Sequence, residues 1–329
     1  MKLEDFDYEL PKEAIAQVPA NPRDSAKMMV IHRKSGKIEH KIFREVFDYI
    51  EKDDVLVLNE TKVIRARLLG NKTTGARVEV FLLKKIEERI WQTLVRPGGK
   101  IKEGTEVVFS NNVRGRCIRH LEDGTRYFEF NVDDDELEEV GEVPLPPYIT
   151  SRQSRPEDYQ TVFARIPGSV AAPTAGLHFT PELLEKLKKK GVKILKISLD
   201  VGLDTFKPIE EENIEEHKMH TEFYRINPEV AKEIKSRKGR IFAVGTTVVR
   251  TLESWAKTGN LSGYTDLYIY PPYEFKMVDA LITNFHIPRS SLIVLVSAFA
   301  GRDLVLKAYK MALERGYRFF SFGDACLFL

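Results

Sequence analysis

The segment from Gly168 to Thr180 combines residue types that suit a ligand-binding loop. It contains small residues, one proline, several hydroxyl side chains and His178, and it has neither a helical nor a strand period. Small residues let the backbone approach a ligand closely, and Ser169, Thr174 and His178 supply polar groups. A helix is predicted to follow at once, with Thr180 as its N-cap residue, Pro181 as its first residue and Gly191 as its stop. A tight loop around a hydrogen-bonded histidine would show the same pattern, so this segment alone leaves both interpretations open.

Three further polar segments each directly follow a predicted strand. In an α/β domain the carboxyl ends of neighbouring strands gather at one edge of the sheet, where ligands bind. Residues that are far apart in the sequence can therefore meet there, and we expect the three segments to converge on one site. The segments are residues 200–206, 245–247 and 283–286, which follow the predicted strands 192–199, 241–244 and 278–282.

Gly245, Thr246 and Thr247 lie between a predicted strand and a predicted helix. The unpaired N–H groups at such a helix start favour an anionic ligand. Arg250, one turn further along, is placed to add a charge-assisted contact to a carboxylate or phosphate. A threonine that simply caps the helix explains the same residues, and the two roles are compatible.

Four histidines fall in polar segments of this kind and are candidates for proton transfer. They are His178, His217, His220 and His286, and Glu222 lies two residues after His220. An unperturbed imidazole titrates at about pH 6.5, which suits general acid–base catalysis near neutral pH. A zinc site is the alternative interpretation of the same residues. We expect no metal, because the chain has neither a His-Glu-x-x-His helix nor a pair of cysteine ligands.

The composition is that of an ordinary globular protein. Hydrophobic residues make up 43% and charged residues 30% of a 329-residue chain, a length that favours two domains. A formal net charge of +2 is too small to indicate nucleic-acid binding by itself. No apolar run approaches the ~20 residues of a membrane span, and the first residues lack the apolar core of a signal peptide. We therefore expect no membrane association and a cytoplasmic location, with Cys117 and Cys326 as reduced thiols.

The middle of the chain differs in pattern from both ends. Residues 62–132 contain six short predicted strands separated by turns, which is typical of a small antiparallel barrel or sandwich. The acidic and proline-containing stretch 133–150 is interpreted as an exit linker. Helices alternate with strands in the last part of the chain, and the first residues fit the same domain. We predict a mixed α/β fold, with a discontinuous α/β domain (1–61 and 151–329) and an inserted small antiparallel β-barrel domain (62–150).

Together these segments resemble the S-adenosylmethionine:tRNA ribosyltransferase-isomerase family, which acts in queuosine biosynthesis. The resemblance spans essentially the whole chain, in the family's order. It is carried by the polar segments described above and by motifs near the start, around the predicted domain boundaries and at the C-terminal end. The motifs are Asp7–Pro11, Asn59–Val63, Pro144–Ile149, Tyr159–Phe163, Gly168–Thr180, Asp200–Phe206, Glu216–Glu222, Gly245–Glu253, Thr283–His286 and Arg318–Asp324.

The resemblance implies a definite reaction. S-adenosylmethionine is consumed as a ribosyl donor, and no prosthetic group is implied. The acceptor is tRNA carrying 7-aminomethyl-7-deazaguanine at the wobble position, and the products are epoxyqueuosine-tRNA, adenine and methionine. A proton beside the sulfonium must be removed, the attacking amine must be uncharged, and the leaving adenine needs a proton. We expect a transferase that acts as a monomer.

The resemblance also implies roles for residues of this chain. His178, His220 and His286 are implied as acid–base residues, with His217 and Glu222 in support. The residues implied in cofactor binding are Ser169, Thr174, Gly176, Phe179, Gly245, Thr246, Thr247, Arg250, Asn284, Phe285 and Asp324. Basic residues, some of them sharing a strand face, are predicted to contact RNA phosphates, although a solvated charged face explains them equally well. These residues are Lys62, Arg65, Arg67, Arg96, Lys100, Arg114 and Arg116.

Two motifs depart from the family's pattern. Where many relatives have Asn-Asp-Thr-Arg-Val, this chain has Asn59-Glu-Thr-Lys-Val63, and Arg65 replaces a following proline. Where many have His-Val-Gly-Leu-Gly-Thr-Phe, this chain has Asp200 in place of the histidine and Asp204 in place of the second glycine. The missing histidine argues against an essential base at that position. Three other classes stay as alternatives: a non-catalytic RNA-binding module, a metal-dependent hydrolase and a methyltransferase that uses the same cofactor.

Overall fold

Residues 1–151, 153–202 and 208–329 are described by the computed structural model, and they form seventeen strands and six α-helices. In chain order the strands are β1 (Lys27–Ile31), β2 (Ile38–Ile42), β3 (Val55–Asn59), β4 (Thr61–Val63), β5 (Arg67–Lys72), β6 (Arg77–Glu87), β7 (Ile90–Arg96), β8 (Glu106–Val108), β9 (Arg114–His120), β10 (Arg126–Phe130), β11 (Ile166–Ser169), β12 (Lys193–Leu199), β13 (Glu222–Arg225), β14 (Ile241–Val244), β15 (Ser262–Thr265), β16 (Ala280–Asn284) and β17 (Ala325–Phe328). The helices are α1 (Asp134–Val140), α2 (Pro181–Lys190), α3 (Pro228–Lys235), α4 (Thr246–Thr258), α5 (Ser291–Ala300) and α6 (Arg302–Glu314).

The chain divides into two units, which we call the α/β unit and the barrel unit. The α/β unit comprises residues 1–62, 146–166 and 172–329, and the barrel unit comprises residues 63–145 and 167–171. The sequence boundaries had placed residues 146–150 with the barrel and residues 167–171 with the α/β domain. The mixed α/β fold with an inserted antiparallel barrel, predicted from the sequence, is confirmed.

A nine-stranded mixed sheet forms the centre of the α/β unit, in the order β15-β13-β12-β3-β14-β16-β17-β1-β2. Its middle strands β12, β3, β14 and β16 run parallel to one another. Every residue of β3, β14 and β16 is buried, which fits near-continuous apolar runs in strands that are covered on both faces. Because these strands are parallel, their carboxyl ends meet at one edge of the sheet.

The last strand brings a further segment to the same edge. Strand β17 is antiparallel to β16, and its first residue, Ala325, lies opposite Asn284 at the end of β16. The residues just before β17, among them Phe320 and Ser321, therefore approach the carboxyl ends of the parallel strands. This juxtaposition depends on strand pairing and is not visible in the spacing of the residues along the chain.

Local capping chemistry determines where the helices of the α/β unit begin and end. The Thr180 hydroxyl accepts a hydrogen bond from the N–H of Leu183 at 3.2 Å, Pro181 is the first residue of α2, and Gly191 ends the helix at φ 96°. These are the predicted N-cap, first residue and stop. Helix α5 is buried along nearly its whole length. Among the residues described, no helix is long and apolar enough to cross a membrane.

The barrel unit is a closed six-stranded barrel in the order β10-β7-β6-β5-β8-β9, with all neighbours antiparallel. Alternate residues point inward and form its core. Gly115 is required by this packing, because a Cβ there would lie 2.8 Å from a ring carbon of Phe130.

The predicted exit linker is wrong in its first part. Residues Asp134–Val140 form helix α1. The Glu136 carboxylate accepts a hydrogen bond from the N–H of Asp133 at 3.4 Å, and Leu137 is buried on the inner side of the helix. Acidic residues in the first turn also interact favourably with the helix dipole. The acidic run is therefore the start of a helix, although its composition alone indicated a linker.

Candidate active site

A cavity of about 610 Å³, including its open mouth, lies at the carboxyl edge of the sheet within the α/β unit. It is built from the ends of β12, β14 and β16, the start of α4 and the segment before β17. All three polar segments that were predicted to converge contribute to it, through Val201, Gly245–Thr247 and Thr283–His286. The loop around Thr174 forms another part of its wall. Asp204 and Phe206 lie outside the described residues.

The start of α4 faces the cavity without a cap. Gly245 precedes the helix at φ 90°, and no side chain of the described residues accepts a hydrogen bond from its first turn. The first hydrogen bond of the helix runs from the N–H of Val249 to the carbonyl of Gly245 at 3.3 Å. The N–H groups of Thr246 and Thr247 precede that bond, so they point outward at the positive end of the helix dipole. Both residues line the cavity, and each is less than 9% exposed.

Asn284 presents an unpaired acceptor in the same cavity. Its Nδ2 donates to the carbonyl oxygens of Phe320 at 2.9 Å and Ser321 at 3.5 Å. These two acceptors fix the orientation of the carboxamide. Its Oδ1 is buried and has no hydrogen-bond partner among the residues that the structure describes. Since a buried acceptor without a partner costs about 1–3 kcal/mol, Asn284 is suited to receive a hydrogen bond from a ligand.

His178 lies behind Asn284 and does not line the cavity. Its Nε2 is 3.3 Å from Nδ2 of Asn284, and its ring packs on Phe43 at a centroid distance of 4.9 Å. Because the Asn284 nitrogen is the donor, His178 Nε2 is the acceptor and the ring hydrogen is on Nδ1. Burial, with smaller contributions from Arg23 and Arg318, lowers the pKa of His178 to about 3. The ring is therefore neutral near pH 7.

His286 is the predicted catalytic histidine that lines the cavity. Its Nε2 is 3.0 Å from the Thr283 hydroxyl. Its backbone is held by two tyrosines, since the Tyr8 hydroxyl donates to its carbonyl and its N–H donates to the Tyr309 oxygen at 3.2 Å. Burial lowers the pKa of His286 to about 3. Its imidazole is thus a fixed and neutral hydrogen-bonding group at the cavity wall.

His220 and Glu222 belong to a second cluster that does not line the cavity. Glu222 Oε1 accepts a hydrogen bond from the N–H of Gly202 at 3.0 Å and is 3.2 Å from Nε2 of His220. Glu222 also forms a buried ion pair with Arg250. Burial acts to raise the pKa of Glu222, but Arg250 and His220 outweigh it and hold the pKa below its usual value. Glu222 is therefore a carboxylate held between the Arg250 guanidinium, the His220 imidazole and a backbone N–H.

The guanidinium of Arg250 makes its contacts within this second cluster, and Arg250 does not line the cavity. Beyond its pair with Glu222, its Nε donates to the carbonyl of Leu267 at 3.1 Å and its Nη2 to that of Thr265 at 3.4 Å. His217 is elsewhere again, with Nδ1 2.9 Å from a carboxylate oxygen of Glu211. The sequence places these groups in neighbouring motifs, but the structure separates them from His286.

Asp200, where many relatives have histidine, lies at the end of β12 beside the cavity residue Val201. The Thr61 hydroxyl donates to its Oδ1 at 3.4 Å. Burial raises the pKa of Asp200 to about 6, while the Thr61 hydrogen bond and Arg225 act in the opposite direction. A carboxylate that titrates close to neutral pH suits proton transfer, and no pattern in the sequence indicates this pKa shift.

Four predicted cofactor-binding residues have structural roles instead of lining the cavity. The Asp324 carboxylate accepts hydrogen bonds from the backbone N–H groups of Lys27 at 2.9 Å and Arg318 at 2.7 Å. Phe179 is fully buried in the core. The other two are Gly176, which packs closely against Phe163 and Thr161, and Ser169, which belongs to the barrel unit. The predicted residues that do line the cavity are Thr174, Gly245, Thr246, Thr247, Asn284 and Phe285.

Sequence reasoning missed ten cavity residues, although eight of them lie inside motifs that carried the resemblance and only Ile287 and Leu292 do not. The Tyr148 hydroxyl is 2.6 Å from the Ser321 hydroxyl, and the Tyr148 ring meets Phe320 edge-on at 4.8 Å. Tyr148 and Ser321 both fall inside motifs that carried the resemblance, so motif membership could have identified them. The other lining residues without a predicted role are Ala172, Pro173, Ala175, Val201, Thr283, Ile287, Leu292 and Phe320.

The predicted RNA-binding residues divide into paired and unpaired cations. Arg67 forms ion pairs with Glu79 at 3.0 Å and with Glu142 at 3.2 Å. Arg116 and Arg96 lie opposite glutamates in the strand register, but neither forms an ion pair with a described residue. The two ion pairs of Arg67 weaken its attraction for phosphate. The candidates that form no ion pair with another described residue are Lys62, Arg65, Arg96, Lys100, Arg114 and Arg116.

The described residues contain no group of three or more histidine, cysteine, aspartate or glutamate side chains arranged to hold a metal ion. The fold and the cavity together define an α/β protein with an inserted barrel and a small-molecule site at the carboxyl edge of its sheet, a site class common to many enzymes.

Comparison with known proteins identifies the family. The chain belongs to the queuosine biosynthesis protein family, whose model matches residues 3–328. It is 56% identical over 336 residues to the S-adenosylmethionine:tRNA ribosyltransferase-isomerase of Thermotoga petrophila, covering 100% of both chains. The protein of that name from Thermosipho africanus is 55% identical over 332 residues, covering 99% of each chain.

A solved structure shows the same fold. The crystal structure of the S-adenosylmethionine tRNA ribosyltransferase from Thermotoga maritima has 47% sequence identity and a TM-score of 0.58, and the match covers 99% of this chain and 100% of that one. The family resemblance inferred from the sequence motifs is confirmed.

Proposed function

We propose that this protein transfers the ribosyl group of S-adenosylmethionine to 7-aminomethyl-7-deazaguanine at the wobble position of tRNA. The products would be epoxyqueuosine-tRNA, adenine and methionine. Family membership supports the reaction type. The structural observation that carries the proposal is that an uncapped helix start and an unpaired buried amide oxygen face the same cavity. The helix start supplies hydrogen-bond donors for an anion, and Oδ1 of Asn284 supplies an acceptor for an N–H group.

S-adenosylmethionine presents groups that complement this cavity. Its carboxylate would accept hydrogen bonds from the N–H groups at the start of α4, and Asn284 Oδ1 would accept one from a ligand N–H group. The aromatic rings of Phe285, Phe320 and Tyr148 offer surfaces for the adenosine and the sulfonium. No described lining residue is a lysine or an arginine. A cationic sulfonium therefore meets no repulsion from the cavity wall.

The pKa values divide the candidate acid–base residues into two kinds. His286 and His178 have their pKa values lowered to about 3, so near pH 7 they are neutral. We assign His286 to hydrogen bonding with the substrate, and His178 to holding Asn284 in place. Asp200, with its pKa raised to about 6, is suited to remove a proton. His220 and Glu222, which were also predicted as acid–base residues, would stabilise the backbone after β12, where Glu222 accepts a hydrogen bond from Gly202.

The tRNA would be bound through its phosphates. Among the predicted cations, the unpaired side chains attract phosphate more strongly than Arg67, which already forms ion pairs with two glutamates. We therefore propose that the phosphate contacts are Lys62, Arg65, Arg96, Lys100, Arg114 and Arg116. The reaction would take place in the cytoplasm.

Product analysis tests the proposal directly. The purified protein is incubated with S-adenosylmethionine and tRNA carrying 7-aminomethyl-7-deazaguanine, and small-molecule products are identified by mass spectrometry. Adenine and methionine formed only with the modified tRNA would support the proposal, with tRNA carrying guanine at the same position as the control. S-adenosylhomocysteine would indicate a methyltransferase. RNA binding without turnover would indicate a binding module, and inactivation by a chelator would indicate a hydrolase.

The pH profile tests the role of Asp200. If Asp200 removes a proton, kcat/KM should fall below about pH 6 as its carboxylate is protonated. The Asp200→Asn variant should lose activity at all pH values, whereas Glu222→Gln should leave the acidic limb of the profile at the same pH. An unchanged acidic limb in Asp200→Asn would contradict the assignment.

A further inference from the structure

Asn59 ends β3 and begins the Asn59–Val63 motif, and the proposed function gives Asn59 itself no role. Its side chain is buried and makes four hydrogen bonds. Oδ1 accepts from the N–H groups of Leu199 at 3.1 Å and Thr61 at 3.2 Å. Nδ2 donates to the carbonyl of Leu199 at 3.0 Å and to the hydroxyl of Thr247 at 3.3 Å. The carboxamide thus connects the ends of β3 and β12 to the first turn of α4.

These partners leave the carboxamide one orientation. In the reversed orientation, its NH₂ group would face the N–H groups of Leu199 and Thr61, and its oxygen would face the Leu199 carbonyl. All of those contacts would be repulsive, because donors would face donors and an acceptor would face an acceptor. The Asn59 nitrogen therefore faces Thr247, and the Thr247 hydroxyl must be the acceptor in that hydrogen bond.

The hydrogen of the Thr247 hydroxyl is consequently available for another partner. A threonine hydroxyl has one hydrogen to donate, and here the bond from Asn59 uses only a lone pair. Thr247 lines the cavity, and its Oγ1 lies close to Gly245 at the uncapped helix start. Within the described ranges, no acceptor lies within hydrogen-bond distance for this hydrogen. The hydroxyl therefore adds a donor to the outward N–H groups of the same turn.

We propose that Asn59 is a positioning residue that fixes the Thr247 hydroxyl as a hydrogen-bond donor toward the cavity. The ligand atom at this point must then be an acceptor. Of the acceptors in S-adenosylmethionine, the carboxylate fits this point best, because the outward N–H groups of the same helix turn favour an anion. This inference rests on the proposed function for the identity of the ligand. It makes Asn59 a determinant of selectivity for the carboxylate, although Asn59 itself does not line the cavity.

Aspartate cannot replace asparagine in this role. Both oxygens of an aspartate are acceptors, so the oxygen in the place of Nδ2 would face the Leu199 carbonyl and would also accept the Thr247 hydrogen. The hydroxyl would then turn away from the ligand. The added negative charge would also lie near the helix start that receives the ligand carboxylate. Both effects weaken carboxylate binding and leave the rest of the cavity in place.

The test compares S-adenosylmethionine with decarboxylated S-adenosylmethionine, which keeps the adenosine, sulfonium and amine but has no carboxylate. Both are titrated calorimetrically into the full-length protein in the presence of tRNA carrying guanine at the wobble position. Asn59→Asp and Thr247→Val should each weaken S-adenosylmethionine binding by roughly tenfold or more, since a hydrogen bond to a charged group is lost. Binding of the decarboxylated compound should change by less than about threefold, and Thr247→Ser should bind both compounds like the wild type.

Several outcomes would overturn the inference. An equal loss for both compounds in Asn59→Asp would mean that Asn59 only maintains the fold, and Thr247→Val provides the same comparison if Asn59→Asp does not fold. Unchanged S-adenosylmethionine binding by Thr247→Val would show that the hydroxyl does not contact the carboxylate. Failure of the wild-type protein to bind S-adenosylmethionine would instead overturn the proposed function on which the inference rests.

Discussion

Helices α2 and α4 begin in the same unit but satisfy their first N–H groups in different ways. The start of α2 is closed by the Thr180 side chain, and that of α3 is closed in the same way by Asn227, which accepts from the N–H of Glu229 at 2.9 Å. The start of α4 has two threonines but no side-chain cap. Its open end is therefore not explained by a lack of suitable residues.

Helix α6 shows that an open helix start is tolerated in solvent. It also follows a glycine, Gly301, at φ 89° and has no side-chain cap. Gly301 is exposed, so water can satisfy the N–H groups there, whereas the start of α4 is buried at the cavity. A buried start without partners is costly. The difference between α4 and the other helices supports the proposal that a ligand binds at the start of α4.

The largest expected effect is a difference in ligand binding between substitutions of Gly245, before α4, and Gly301, before α6. Gly245→Ala and Gly301→Ala should each lower the free energy of unfolding by about 1–2 kcal/mol, because alanine is strained at a φ near 90°. Only Gly245→Ala should also weaken S-adenosylmethionine binding, by roughly tenfold or more, since strain there shifts the donors of the first turn. Chemical denaturation and calorimetric titration measure the two quantities. Equal binding losses in both variants would show that the start of α4 is not special.

The second prediction concerns the protonation of His286, which lines the cavity together with the uncapped start of α4. His286 has a pKa lowered to about 3 in the folded protein, against an ordinary value near 6.5. Between these values the unfolded chain binds more protons, so this residue stabilises the fold less as the pH falls below about 6.5. From pH 7.5 to pH 5 the loss should be about 2 kcal/mol.

Denaturation at both pH values in His286→Gln measures this contribution. The variant should lose about 2 kcal/mol less than the wild type between pH 7.5 and pH 5. His120→Gln serves as the control, because that side chain is exposed on the barrel. A wild-type dependence retained in His286→Gln would mean that the pKa of His286 is not lowered in the folded protein. The ring, and not the helix end alone, would then offer positive charge to an anion below about pH 6.5.

The contrast between α2 and α4 also shows how far the sequence can predict this molecule. The limits of α2 follow from Thr180, Pro181 and Gly191, whose effects are local, and they were predicted correctly. The barrel followed from alternating strands between turns. The helix α1 was missed because an acidic run predicts solvent exposure unless one buried residue, here Leu137, anchors it.

The candidate site was predicted in outline and not in detail. Convergence of the three strand ends follows from the parallel order, so Gly245, Thr247 and Asn284 were expected together. The ion-pair partner of Arg250 was not predictable, since that partner is Glu222, which lies on a different element of the fold, strand β13. The acceptor role of the Thr247 hydroxyl depends on the partners of Asn59, a residue of the motif at 59–63. Such contacts are tertiary and leave no period in the sequence.

The smallest expected effect is at the capped helices. Thr180→Ala and Asn227→Ala should each cost about 1 kcal/mol of unfolding free energy, because each leaves one N–H group without its side-chain acceptor. Neither residue lines the cavity, so S-adenosylmethionine affinity should stay within about twofold of the wild type. Thermal denaturation and calorimetric titration again measure the two quantities. A binding loss in either variant would mean that ligand affinity follows global stability, in which case the Gly245 result would no longer identify the start of α4 as the place where the anion is held.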